Sequence, residues 1–184
     1  MADLAATTAT EFADYYEKVR THLHEWVDPL SQEQFWTNPY PYGNSIGHLV
    51  LHLTGNLSYY IGARIAHTDY VRNRDREFTE PEHLDKTKVL EAFDRAIDMV
   101  VATARAQAPS DWLAPYTAER EPEAKNRFAI FLRSAAHAYH HVGQIIYLSR
   151  ELARQSQGKV ASAYELWQQR SAERSVREWL SKGS

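Results

Sequence analysis

Apolar residues recur every three to four positions along most of the chain, the spacing of helices with one buried face. No stretch alternates for long enough to predict a strand. The first periodic stretch predicts a helix over about residues 8–27, with Phe12, Tyr15, Tyr16, Val19 and Leu23 on one side. Ser31, followed three residues later by Gln34, has capping-box spacing and predicts a turn or short helix. The run Pro39-Tyr-Pro-Tyr-Gly43 breaks it, and Asn44 or Ser45 then caps a second long helix to about Ala66. Residues 67–84 read as a polar connection, and one of that length over packed helices tends to be functional. A third helix is expected over about 85–107. Pro109, Pro115 and Pro122 punctuate the next connection, and a fourth long helix is expected over about 123–154. A fifth starts at Ser162, where Glu165 completes another capping box. The economical architecture is all-α: one domain over 1–184, built as an up-down four-helix bundle with an additional C-terminal helix.

Composition narrows the chemistry. The 184 residues are 43% hydrophobic and 24% charged, which fits a folded globular chain. The net charge of −3 is unevenly spread. Residues 1–119 carry 18 acidic and 10 basic groups, whereas residues 120–184 carry 6 and 11. No dense Lys/Arg cluster forms, so no nucleic-acid partner is expected. The segment Gln34–Ala63 lacks charge but holds two prolines, four glycines and two histidines, so no membrane span is expected either. No basic segment followed by an apolar one opens the sequence, and the expected location is cytoplasmic. The absence of cysteine removes disulfides, thiolate-ligated metal and a thiol nucleophile belonging to the chain.

The nine histidines are sorted by spacing. His48/His52 and His137/His141 lie four apart, where random placement would yield roughly 0.4 such pairs. Residues four apart stack on one helix face, within reach of one ion. At 100° per residue His137 shares its face with Ile130, Ser134, His141, Gln144, Leu148 and Leu152, an otherwise largely apolar stripe, while His140 falls toward a rim. His52 shares its face with Ser45, Leu49, Leu53 and Asn56, and His48 sits at its edge. The phase favours His52, His137 and His141 as metal ligands, with His48 as a supporting or substitute ring. Asn56 and Gln144, one turn from their histidines, are placed to orient an imidazole. A hydrogen-bonded core cluster without an ion is the competing reading, because unpaired buried imidazoles are costly by either route.

The segment His137-Ala-Tyr-His-His-Val-Gly-Gln-Ile145 resembles the H-x-x-x-H-x-G-Q-I signature of the DinB-like superfamily. Asn44-Ser-Ile-Gly-His-Leu-Val-Leu-His52 and Arg74-Asp-Arg-Glu-Phe78 are similar to tracts of one of its branches. The resemblance implies a four-helix bundle, often dimeric, with a divalent ion, zinc or nickel, on His52, His137 and His141. It also implies thiol S-transferases that use low-molecular-weight thiols, a mycothiol-dependent maleylpyruvate isomerase, and metal-dependent hydrolases as relatives.

The expectation is therefore a metal-dependent transferase or hydrolase acting on a small molecule, with any thiol arriving as a co-substrate. Arg72, Arg74 and Arg76 are candidates for an anion-binding rim, or else a solvated loop paired with Asp75 and Glu77. A non-enzymatic metal-binding bundle with a stress-related role is the alternative. A di-iron site finds only Glu80-Pro-Glu-His83, and the H-E-x-x-H motif of zinc proteases is missing. Gly47, Gly55 and Gly62 line one strip of the second helix and predict close approach of a neighbour, from the same chain or from a homodimer partner.

Overall fold

The computed structural model describes residues 3–157, and every regular element among them is helical. Helix α1 spans Leu4–Val27 and starts earlier than its apolar stripe because the Asp3 carboxylate accepts from the Ala5 amide at 3.0 Å. Helix α2, Gln32–Trp36, opens on the expected capping box: the Gln34 amide donates to Ser31 Oγ and the Ser31 amide donates to the Gln34 side chain. Helix α3, Ile46–Leu57, is capped by Ser45, whose Oγ accepts from the His48 amide. Its backbone then widens into a π-helix over Ser58–Ala66, closed by His67 in the left-handed region at φ 55°.

The polar connection contains a short helix that the pattern does not predict, α4, Arg74–Thr79, capped by Asn73. Helix α5, Lys86–Arg105, begins behind Asp85, whose carboxylate accepts from the Lys88 amide. A 3-10 turn, Asp111–Leu113, precedes α6, Arg127–Gln157. The last helix starts four residues later than expected. Residues 115 and 126 bridge, the Tyr116 amide donates to the Lys125 carbonyl, and Asn126 caps the helix at Ala129. The backbone that would have made the first turn is thus paired sideways. The expected helix from Ser162 lies outside the described residues.

The chain divides into two compact units, Met1–Ser149 and Arg150–Ser184. In the second, only the end of α6 is described, where Arg154 pairs with Glu151 at 2.7 Å. In the first, Tyr16, Val19 and Leu23 of α1 are fully buried, as are Phe93 and Ile97 of α5, and these two helices pack together. Helix α3 packs on α5 and α4. Helix α6 meets α1 where the Tyr16 hydroxyl donates to the Phe131 carbonyl at 3.0 Å and Phe12 contacts Phe131. Tyr15, expected on the buried face, lies instead at the surface against Tyr139. No helix among the described residues is long and apolar enough to cross a membrane.

The glycine strip is explained within the chain. A Cβ on Gly47 would lie 2.6 Å from the Trp36 ring of α2, one on Gly62 would lie 3.1 Å from Met99 of α5, and one on Gly55 would overlap Glu77 of α4. Alanine would be about 1 kcal/mol better in a helix, so these contacts set the choice.

Candidate metal centre

His52 projects from α3, and His137 and His141 project from successive turns of α6. One ring nitrogen of each lies within 4.8 Å of the others. His52 Nε2 and His137 Nε2 are 3.0 Å apart, and the three ring pairs meet nearly edge to face, with centroids 4.5–5.1 Å apart. His52 is buried and the two α6 rings are half-buried.

The outer nitrogens fix the orientation. His52 Nδ1 lies 2.8 Å from Glu77 Oε2, on a carboxylate only 5% exposed. Arg72 forks onto the same carboxylate, donating from Nε to Oε1 at 2.7 Å and from Nη2 to Oε2 at 2.9 Å. Burial pushes the Glu77 carboxyl up, but the hydrogen bonds from Arg72 and His52 outweigh it and hold it below the usual carboxylate range. Facing an ionised acceptor, His52 Nδ1 carries the proton. His141 Nδ1 lies 2.6 Å from Gln144 Oε1, which can only accept, so Nδ1 is the protonated atom there too. These tautomers follow from the hydrogen-bond network. In both rings the remaining lone pair is on Nε2, the atom a metal would take, and the carboxylate–histidine pair is a recurring support of metal ligands.

Burial, with the neighbouring imidazoles His141 and His52, pushes His137 down to about 3. His141 is pushed down to about 4, chiefly by burial, with the Gln144 hydrogen bond opposing. Both rings therefore keep their lone pairs well below neutral pH. The linkage has a definite sign. As pH falls through 6.5 the unfolded chain takes up protons that these folded rings refuse, so their contribution is greatest above 6.5 and is lost on acidification toward about 4 and 3. His24, raised by Asp94 and Asp28 against the opposing effect of burial, acts in the reverse direction. Metal-free protein is expected to lose about 2–3 kcal/mol between about pH 7 and about pH 5 from the two rings, allowing for their partial exposure. Urea denaturation at the two pH values measures this, and His141→Gln should flatten the slope; an unchanged slope in that variant would contradict the assignment.

The other expected residues divide. Gln144 holds His141 as the phase suggested and also reaches His140 Nε2 at 3.3 Å; His140 is exposed, at the rim. Asn56 is buried one turn beyond His52, but the partner of His52 Nδ1 is Glu77. His48 stands apart from the three rings, its Nδ1 2.8 Å from Ser45 Oγ and its ring edge-on to Trp36. Of the three arginines, Arg72 and Arg74 line one pocket together with Arg120 and Glu119. Arg72 is buried on Glu77, Arg74 lies 5.0 Å from the Phe78 ring centroid, and Arg76 pairs with Glu80 at 2.8 Å.

Sequence reasoning places Glu77 only as an arginine partner on a solvated loop; it does pair with Arg72, but buried, and its role in holding His52 is what the sequence misses. Its clue is Gly55, whose missing side chain makes room for that carboxylate. Gly55→Ala is expected to destabilise the fold by about 1–3 kcal/mol despite alanine's better helix propensity, because the Glu77–Arg72 pair must shift. Thermal denaturation reads this, and an unchanged or higher Tm would refute the close approach.

Residues 4–162 match the family described as "Protein of unknown function (DUF1572)", and the chain belongs to that family. No curated protein matches it.

Proposed function

We propose that this DUF1572 member has a DinB-like four-helix bundle and holds one divalent ion, zinc or nickel, on His52, His137 and His141. On this reading it uses that centre for thiol transfer to, or hydrolysis of, a small molecule. The observation that carries the reading is the pair of outward Nδ1–H groups. Glu77 holds one and Gln144 the other, leaving two Nε2 lone pairs beside the third ring.

A divalent ion on three imidazoles keeps a position for water, whose pKa it lowers toward roughly 7, or for a thiol bound as thiolate. The chain's own groups prepare for this. Arg72 keeps Glu77 ionised, Glu77 fixes the tautomer and alignment of the His52 ring, and the low pKa values of His137 and His141 keep both rings available without competition from protons. With no cysteine in the chain, a thiol nucleophile comes with a co-substrate.

The test compares tag-free protein, metal-loaded and chelator-stripped, against a set of small thiols paired with electrophilic acceptors and against simple esters. Turnover by the loaded form alone is the expected result. Loaded protein inert to every pair would favour a non-enzymatic metal-binding bundle.

A further inference from the structure

A cavity of about 560 Å³, well inside the range of small-molecule sites, borders the centre through Gln144, the residue that holds His141. Three tyrosines form its most distinctive wall. Tyr40 stacks on Tyr42, with centroids 5.7 Å apart and planes 12° from parallel, and on Tyr147 at 6.2 Å and 18°. Tyr42 and Tyr147 nonetheless remain 73% and 65% exposed. The turn that carries Tyr40 and Tyr42 is held in place. The Asn38 side chain donates to the Tyr42 and Gly43 carbonyls and accepts from the Tyr40 amide, and Gly43 takes φ 83°, where a side chain would be strained.

Gly143 also lines the cavity. Gly143 sits inside the long α6 helix, where glycine costs about 1 kcal/mol relative to alanine, yet a Cβ there would meet nothing within 4 Å. The polar lining comes from Asn44, Gln144 and His140, and among the described residues no Lys, Arg, Asp or Glu lines the cavity.

We infer that this cavity, which lies behind the Gln144–His141 hydrogen bond, is a binding site for an uncharged aromatic compound carrying a neutral hydrogen-bonding group. Near-parallel tyrosines offer flat faces for an arene, whereas a cation would call for faces converging on a point. Among the described residues an anion finds no guanidinium or ammonium in the lining to pair with. Asn44 and Gln144 amides suit a carboxamide or hydroxyl. Occupancy by an arene does not depend on the three-histidine reading.

The experiment uses benzamide, benzoate and benzylammonium as matched probes, titrated by tyrosine fluorescence against the whole protein with and without bound zinc. Benzamide is expected to bind saturably, at least about tenfold more tightly than either charged probe. Tyr147→Ala should weaken it about tenfold, and Gly143→Leu should abolish it while leaving the circular dichroism unchanged. Failure of benzamide to saturate, equal binding by both variants, or preference for a charged probe would overturn the inference. The metal content of every sample is measured alongside. Benzamide binding by protein that takes up no stoichiometric zinc when zinc is supplied keeps the arene site and sinks the metal reading, whereas zinc uptake without benzamide binding does the opposite.

Discussion

Replacing His137 with alanine is expected to take the protein from about one bound divalent ion per chain to none that survives dialysis. The ring supplies one of three nitrogens that converge within 4.8 Å, and its Nε2 lies 3.0 Å from that of His52. Alanine leaves two ligands, one from α3 and one from α6, too few to outcompete water for a cation. The fold should tolerate the change, because the side chain is half-buried and has no carboxylate partner left unpaired behind it. Elemental analysis of chelator-free protein, with circular dichroism as the folding control, measures the result. Full occupancy in the variant would remove His137 from the ligand set. His48→Ala is the matched control and should retain its ion, since its ring points to Ser45 and Trp36.

Glu77→Ala should have the second large effect, and it should register in two measurements. The Arg72 side chain is 9% exposed and spends two of its donors on this carboxylate. Removing the acceptor strands a buried guanidinium, a loss of about 3–5 kcal/mol in urea denaturation. His52 also loses the partner that fixes its tautomer, which should weaken metal affinity about 10–100-fold in a competition titration. Replacing both partners, Arg72→Met with Glu77→Gln, removes the stranded charge and should recover much of the stability but only part of the affinity. A single variant within about 0.5 kcal/mol of the parent would show the pair to be dispensable.

Which parts of this arrangement the sequence discloses follows from the range of the forces involved. His52, His137 and His141 are legible because helical phase is rigid over two or three turns, so spacing alone assigns a face. Gln144 is legible for the same reason. Glu77 is not, because it belongs to a six-residue helix inside a polar stretch with no periodicity of its own, and only the tertiary contact with Gly55 and Arg72 buries it. The π-helix after Leu57 leaves the apolar pattern intact and so passes unseen. Pro39–Gly43 reads from sequence only as a helix breaker. That its tyrosines line up against Tyr147, more than a hundred residues away, depends on how α3 and α6 lie together.

The rings that face one another come from positions 85 residues apart, in a protein without a single cysteine. An ion gripped there would serve as the cross-link that the chain's composition otherwise denies it. The unfolded polymer retains only the His137/His141 pair, so affinity for the cation and resistance to melting become two readings of one equilibrium. Each tenfold excess of free metal over its dissociation constant adds about 1.4 kcal/mol to the folded state. Starvation for the ion would then lower the protein's lifetime along with any activity.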